Sequence, residues 1–356
     1  MLKKSLAVVL SLTLSMVGLV GCGSKDSGSD EGASNSGEKK ELVISTFGLN
    51  EDKMWENLFT PFENEYGVKV VLETGNNSER LTKLKNNPNS NVDLIVLAQS
   101  FSQEGIDAGL FEQLDYSKIP NSEKLNQKAQ VSVESGFGPA QSQNSIALIV
   151  NTTAGIEVNT WEDLWKPELK GKIAIPDIAT TNGPAMVQIA AKKAGVDIST
   201  DKGEAAFKEL EALKPNIVKT YSKSSDLANM FASGEILVAV GPDFAYGNIV
   251  KACPDAKYIV PESGTYLNFN TINMNKDSKN KDAAYDFLNF ALSEETQTRT
   301  AKGYSEAPTN GDVKLSDEEA KNLTYGPMVD SAHTIDFKVV NPLMTEWIDK
   351  WNRLMN

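Results

Sequence analysis

After residue 40, short apolar runs alternate with longer stretches in which apolar residues recur every three or four positions. The short runs predict buried strands, and the longer stretches predict amphipathic helices. The predicted strands cover 41–47, 68–73, 93–97, 145–151, 172–175, 217–221, 236–240 and 264–274. The predicted helices cover 53–66, 80–86, a segment from about 103, 185–194, 204–213, 224–233, 281–292 and 342–355. Because strand and helix alternate, the economical fold class is α/β, a parallel sheet covered by helices.

The stretch from Thr160 to Pro184 combines a short helix, a turn, a strand and a polar loop that opens another helix. Thr160 is a suitable N-cap, and Asp163 three positions later comes close to a capping box. The loop Thr180–Gly183 presents hydroxyls, a side-chain amide and a permissive backbone, and Pro184 suits the first position of the next helix. A polar loop between a strand end and a helix N-terminus is a usual ligand site in α/β domains.

Acidic residues outnumber basic residues by 48 to 35, which gives a formal net charge of −13. This charge argues against nucleic acid or an anionic membrane surface as the natural partner. The chain has one histidine, His333, and two cysteines, Cys22 and Cys253. A histidine-based triad or a multi-histidine metal site therefore lacks its residues. The sequence predicts no catalytic residue, no metal site and no cofactor.

The first 40 residues predict an export signal followed by a flexible linker. A basic start precedes the apolar stretch Leu6–Val20, and Leu19–Cys22 has the small residues and the cysteine of a lipobox. We expect a signal peptide over 1–21, lipidation of Cys22 and a disordered tether over 22–40. This places the protein on the extracytoplasmic face of the cell membrane, anchored by its lipid. The competing interpretation is an ordinary export signal with a chance cysteine.

Four segments carry a resemblance to a known family: Phe62–Val71, Asp93–Val96, Trp161–Ile173 and Lys279–Ser293. They resemble the solute-binding lipoproteins of bacterial ABC importers, in particular the spermidine/putrescine-binding branch. The resemblance implies a class II-like periplasmic-binding-protein fold, in which two lobes, each a sheet with flanking helices, enclose a ligand cleft. It implies a monomer that captures a small solute and delivers it to an ABC permease. It further implies that lobe 1 covers 41–146 plus about 269–312, and that lobe 2 covers 147–268 plus about 313–356.

Several positions depart from the polyamine-binding pattern, in which carboxylates and aromatic walls hold ammonium groups. Asn268 and Asn270 replace the Trp and Asp of the late crossing strand, and Gln99 and Ser100 replace Ser and Tyr after the third strand. Thr180–Gly183 stands where that branch has acidic residues. Loss of these carboxylates favours an anionic, zwitterionic or neutral polar solute. The alternative is a true spermidine or putrescine binder.

The predicted ligand contacts share a place at strand ends or on the late crossing strand, and they are Phe47, Gln99, Ser100, Thr180, Thr181, Asn182, Gly183, Asp243, Tyr246, Asn268 and Asn270. The donors of residues 180–183 suit an anionic group, whereas Asp243 suits an amine. Tyr246 offers a ring or a hydroxyl, and Phe47 a stacking wall. The competing interpretation is that these residues cap helices or pack in the core.

Two other classes of function use the same scaffold. A tethered sensor would have a histidine kinase as its neighbour in the genome, whereas an importer would have a permease and an ATPase. An extracytoplasmic enzyme would need a nucleophile–base pair, a metal-ligand spacing or a glycine-rich phosphate loop, and the sequence has none of these. An iron-binding relative has little support from one histidine and scattered tyrosines.

Overall fold

The computed structural model describes residues 40–355, which lie within one compact unit. The predicted signal peptide, Cys22 and the tether up to residue 39 lie outside the described residues. Within residues 40–355, no helix has both the length and the apolar character needed to cross a membrane.

Ten strands form one continuous sheet. They are β1 Glu41–Thr46, β2 Lys69–Thr74, β3 Leu94–Ala98, β4 Ala140–Asn151, β5 Ile173–Pro176, β6 Ile217–Tyr221, β7 Val238–Pro242, β8 Ala256–Ile259, β9 Tyr266–Met274 and β10 Ala307–Pro308. β1 pairs in parallel with β2 and β3, and β5 pairs in parallel with β6 and β7. The predicted α/β class is confirmed, because each parallel pair is joined by a helical crossover.

The helices cover both halves of the sheet. The α-helices are Glu51–Met54, Thr60–Tyr66, Asn77–Asn86, Gln99–Asp107, Gln130–Glu134, Gly183–Ala194, Ile198–Asp201, Glu204–Leu213, Asp226–Ala232, Asp243–Ala252, Lys281–Ala291, Glu294–Tyr304, Asp317–Ala320, Pro327–Ser331, Phe337–Val340 and Met344–Met355. A π-helical turn, Trp55–Phe59, joins the first two of them. Short 3₁₀ turns are Tyr116–Lys118, Pro120–Lys124, Thr152–Ala154, Trp161–Trp165, Pro167–Leu169, Lys214–Asn216 and Asn341–Leu343.

The sheet divides into two halves, and in each half the first parallel strand in the chain lies between the second and the third. Lobe 1 has the order β2-β1-β3-β9-β4, and lobe 2 has the order β6-β5-β7-β4-β8. β4 and β9 run through both halves and pair antiparallel with each other. Each lobe has its own core, one around Phe62 and Phe287 and the other around Trp161 and Trp347. This arrangement is the two-lobe fold that the resemblance implied.

β4 is longer than the predicted strand, which began at residue 145. Its first half contains Gln141, Ser142 and Gln143, which are buried although they are polar. The Gln143 amide nitrogen donates to the carbonyls of Pro308 and Thr324 at 2.9 and 3.1 Å. The apolar pattern missed this half because its side chains are buried through hydrogen bonds and not through hydrophobicity.

A third segment crosses between the lobes next to β9. His333 pairs with the start of β9, since the Leu267 N–H donates to the His333 carbonyl at 2.9 Å. Before this point Val329 and Ala332 pack in the lobe 1 core, and after it Ile335 belongs to the lobe 2 core. Val329 and Ala332 therefore pack with lobe 1, which favours a later boundary than the predicted one at about residue 313. We propose the last lobe boundary near residue 333.

The predicted short helix after Thr160 is present as the 3₁₀ turns Trp161–Trp165 and Pro167–Leu169. The capping box is present, with the Thr160 N–H donating to the Asp163 carboxylate at 2.9 Å. Trp161 is buried and its indole N–H donates to the Gly264 carbonyl at 2.9 Å. The stretch therefore positions β5 and the loop that follows it by packing.

Candidate functional site

The predicted site residues of each lobe share one edge of its sheet. Phe47 follows β1 and Gln99 follows β3, and these two strands are parallel neighbours. In lobe 2, the loop Thr180–Gly183 follows β5 and Asp243 follows β7, which are also parallel neighbours. The carboxyl ends of neighbouring parallel strands meet at one edge, where α/β folds usually bind ligands.

Asn268 and Asn270 project from the same face of β9, because alternate residues of a strand share a face. In β4 their register partners are Asn144 and Ser142. The Asn270 amide nitrogen donates to the Ser142 hydroxyl at 3.1 Å. Asn268 is 7% exposed, and its buried Oδ1 has no hydrogen-bond partner within residues 40–355. A buried acceptor without a partner is unfavourable unless a ligand or water donates to it.

Glu306, which was not among the predicted ligand contacts, lies beside Ser142 and Asn270 in the structure. The helix Glu294–Tyr304 ends at Ser305, whose φ of 61° turns the chain toward β10. Burial raises the pKa of the Glu306 carboxyl, while the neighbouring Ser142 and Asn270 side chains lower it. No basic side chain is among the groups that act on it. A carboxylate that burial destabilises and no cation compensates is suited to a ligand cation.

Tyr304 adds a second polar atom close to Glu306. Its hydroxyl is buried without a hydrogen-bond partner within residues 40–355. Burial raises the pKa of Tyr304 well above its usual value and the nearby Glu306 charge raises it further, while Arg299 lowers it. Tyr304 and Glu306 are thus neighbouring polar groups, and Glu306 adjoins Asn270 of β9. The only sequence signal was an acidic residue in the short loop between a helix and β10.

Gln99 contacts β9, and both Gln99 and Ser100 contact residues that follow the third crossing segment. The Gln99 Oε1 accepts from the Phe269 N–H at 3.1 Å, and its Nε2 donates to the Ile335 carbonyl at 3.0 Å. The Ser100 carbonyl accepts from the Asn341 amide at 2.8 Å. In this conformation both ends of the Gln99 amide have protein partners. Its predicted ligand role stays a prediction.

The loop Thr180–Gly183 begins the helix Gly183–Ala194 as predicted. The Thr180 hydroxyl donates to the Asp177 carbonyl at 2.6 Å, so it stabilises the loop. Asn182 occupies the N-cap position, but its side chain makes no cap hydrogen bond. Thr181 and Asn182 are half-buried, and the first turn of the helix has no acidic residue. This loop therefore presents donors at a positive helix end.

Asp243 is buried in a polar network that includes Ser145 of β4 and Thr324. Its carboxylate accepts from the Phe244 N–H at 2.7 Å and lies in hydrogen-bond contact with the Thr324 hydroxyl. The Thr324 hydroxyl also contacts the Ser145 hydroxyl at 2.8 Å, and the Tyr258 hydroxyl donates to the Ser145 carbonyl at 3.1 Å. These protein partners give Asp243 a role in joining β4, β7 and the segment around Thr324.

Tyr246 and Phe47, both predicted as ligand contacts, pack against other protein side chains in the structure. The Tyr246 hydroxyl donates to the Ala256 carbonyl at 3.0 Å, and its ring centroid lies 5.7 Å from that of Tyr258. Phe47 is half-buried against the lobe 1 core, with the Arg80 guanidinium carbon 4.8 Å from its ring centroid. Their ligand contacts stay predictions.

A cavity of about 490 Å³ opens on the other face of β9. Phe269 and Thr271 line it, and so they project away from the face that carries Asn268 and Asn270. Its walls come from both lobes, with Gln103 and Ile106 of lobe 1 and residues 334–338 after the third crossing. Of the predicted ligand contacts, Gln99 lines this cavity.

A family model for bacterial extracellular solute-binding proteins matches residues 57–325, which is more than half of the chain. The chain belongs to the bacterial extracellular solute-binding protein family. A crystal structure of an ABC transporter from Clostridium perfringens ATCC 13124 is 66% identical to this member, with a TM-score of 0.86, and the match covers 88% of this chain and 100% of that one. The spermidine/putrescine-binding periplasmic protein 1 of Haemophilus influenzae is 25% identical over 338 residues, 92% of this chain and 90% of its own.

The putrescine-binding periplasmic protein PotF of Escherichia coli is 28% identical over 271 residues, 67% of this chain and 71% of its own. This solute-binding protein is therefore the substrate-binding component of an ABC transporter and resembles the polyamine-binding branch. The family and its structural neighbours are solute-binding proteins and not enzymes, which confirms the non-catalytic interpretation. Within residues 40–355, no cluster of His, Cys, Asp or Glu is suited to hold a metal ion.

The buried Asp243 predicts how the stability of this solute-binding protein depends on pH. Burial raises the Asp243 pKa to about 7, so between pH 4 and 7 the folded state binds a proton that the unfolded state releases. This group therefore lowers the free energy of unfolding as pH rises through that window, by up to about 4 kcal/mol. We expect Asp243→Asn to flatten this dependence in urea unfolding at pH 5 and pH 8. The exposed Asp226→Asn is the control, and an equal slope in both variants would contradict the assignment.

Proposed function

We propose that this protein captures a small solute with one protonated amine and an anionic or polar end, and delivers it to its permease. The observation that carries this proposal is the Glu306 carboxylate, which is destabilised by burial and has no basic side chain acting on it. A protonated amine beside it would form charge-assisted hydrogen bonds and lower the free energy of the bound state. The Oδ1 of Asn268 would accept another N–H of the same amine.

Lobe 2 supplies the complementary end. The loop Thr180–Gly183 offers donors at the N-terminus of a 12-residue helix, with no acidic residue in its first turn. A carboxylate or a polar group is favourable there, whereas a second ammonium group would face the positive end of the helix. An amine near Glu306 and an anion near Asn182 would require both lobes for tight binding. Ligand binding would then favour closure of the lobes.

A polyamine is the second candidate. It is supported by the relatives from Haemophilus influenzae and Escherichia coli, whose names refer to spermidine or putrescine. It is also supported by Asp243, a buried carboxyl that lies in lobe 2 while Glu306 lies next to β10 of lobe 1. A diamine could place one ammonium group in each lobe, if the Asp243 network opened to admit it.

Isothermal titration calorimetry of the full chain in detergent distinguishes a solute with one amine from a polyamine. The four probes are 4-aminobutyrate, putrescine, spermidine and butyrate. We expect 4-aminobutyrate to bind and butyrate, which lacks the amine, to bind at least about thirtyfold more weakly. Tighter binding of putrescine or spermidine would favour the second candidate. Tight binding of butyrate with no gain from the amine would overturn both.

We propose further that the protein is a monomer anchored to the outer face of the cell membrane through a lipid on Cys22. The lipobox at Leu19–Cys22 supports this proposal. We expect Cys22→Ser to remain uncleaved or to be released into the soluble fraction, and to lose the incorporation of radiolabelled palmitate. Cys253→Ser is the matched control, since that cysteine is buried in lobe 2. Equal labelling of Cys22→Ser and the unaltered chain would contradict the anchor.

A further inference from the structure

Arg80 is a buried cation at the carboxyl edge of lobe 1. It is 4% exposed, and its guanidinium donates to the carbonyls of Gly75 at 2.9 Å, Ser45 at 3.1 Å and Val96. It also donates to the Asn77 side-chain oxygen at 3.3 Å. Ser45 lies in β1 and Val96 in β3, so Arg80 joins the two strands just before they reach the cleft edge.

The charge of Arg80 has no close counter-ion. No ion pair within residues 40–355 includes it. Burial lowers the Arg80 pKa to about 10, and the neighbouring Glu79 raises it only in part. At neutral pH the group still carries its positive charge. Neutral acceptors satisfy its hydrogen bonds but do not cancel its field.

Phe47 packs against this charge. Its ring centroid is 4.8 Å from the guanidinium carbon, and the ring is half-buried at the end of β1. A ring attracts a cation through its electron-rich face. Since Arg80 already occupies one face, a second cation on the outer face would gain less and would be repelled by the first. Phe47 is thereby a poor wall for a solute ammonium group, although it remains a good wall for an apolar chain.

We propose that Arg80 selects against solutes with a second ammonium group and so limits the cleft to solutes with a single amine. This inference rests on the proposed function, in which Glu306 holds that amine. Arg80 acts without touching the solute: it fixes Phe47 on one side and places a positive charge behind it. The solute class that fits both groups is a short ω-amino acid, in which a carboxylate replaces the second ammonium group of a diamine.

The test compares the dissociation constants of 4-aminobutyrate and putrescine in the full chain, because the two probes have similar length and differ at one end. We expect Arg80→Gln, which removes the charge, to shift the ratio about tenfold or more toward putrescine. Arg80→Lys keeps the charge and is the matched control, so its ratio should stay close to that of the unaltered chain. A purely structural role would lower the melting temperature in both variants and leave both ratios unchanged, which would overturn the proposal.

A second variant decides the matter if Arg80→Gln does not fold. Phe47→Leu removes the ring that covers the charge, and we expect it to weaken putrescine binding more than 4-aminobutyrate binding. An unchanged ratio in this variant would also overturn the proposal. If the unaltered chain binds neither probe, the proposed function itself fails, and this outcome is distinct from an unchanged ratio in the variants.

Discussion

Glu306→Gln is expected to weaken binding of an amine-bearing solute by about thirtyfold or more, which corresponds to roughly 2 kcal/mol or above. The variant keeps the size of the side chain and removes the charge that would pair with the amine. The measurement is calorimetric titration with the amine probe that binds best to the unaltered chain. The exposed Glu262→Gln removes the same charge outside the site and should leave the affinity unchanged.

Stability is expected to move in the opposite direction from affinity. Because burial raises the Glu306 pKa, the ionised carboxylate lowers the free energy of unfolding, and its replacement should leave the melting temperature equal or higher. A loss of affinity together with a large loss of stability would instead indicate a structural carboxylate. An unchanged affinity would show that the amine is held elsewhere.

Gly183→Ala is expected to lower the free energy of unfolding by roughly 2–4 kcal/mol. A Cβ at this position would lie 2.3 Å from the Asp177 carbonyl oxygen and 2.5 Å from the Ile178 Cα, so the backbone itself would have to move. The displaced segment is the loop of Thr180 and Asn182, and solute affinity should therefore fall as well. Chemical unfolding followed by circular dichroism measures the stability.

Gly247→Ala is the matched control for this substitution. Gly247 lies within the helix Asp243–Ala252, and nothing lies within 4 Å of an added Cβ. Alanine there should be neutral or should raise stability by up to about 1 kcal/mol, since glycine is a poor helix former. Similar midpoints for the two variants would mean that the loop before Gly183 adapts without strain.

The parts of the fold that could be predicted are those built on hydrophobic burial. β1, β3 and the helix Lys281–Ala291 bury apolar side chains at regular spacing, and so their positions were predicted to within a few residues. The first half of β4 was missed because Ser142 and Gln143 are buried through hydrogen bonds to distant parts of the chain. Spacing along one segment contains no information about such partners.

In the candidate site, too, residues on one strand could be predicted, whereas a residue whose partners lie elsewhere in the chain could not. Asn268 and Asn270 were predicted from the resemblance, because they stand where the polyamine-binding branch has Trp and Asp, and alternation along β9 places both on one face. Glu306 was missed because its partners, Ser142 and Asn270, come from two other elements. Its importance depends on burial and on the lack of a nearby cation, which are properties of the folded chain. The predicted lobe boundary near residue 313 rested on the sequence alone, whereas Leu323 packs against Ala301 and Ala307, which come from earlier elements.

The interleaved strand order has a consequence for the sequence of events during synthesis. β9 lies between β3 and β4, so the lobe that begins at Glu41 cannot complete its sheet until residues 266–274 have left the ribosome. The other lobe waits even longer, because Trp347 and Trp351 of the last helix fill its core. Contacts between such distant parts of a chain form slowly. Neither half can therefore reach its final packing before translation is nearly complete, so the two lobes must complete their folding at about the same time.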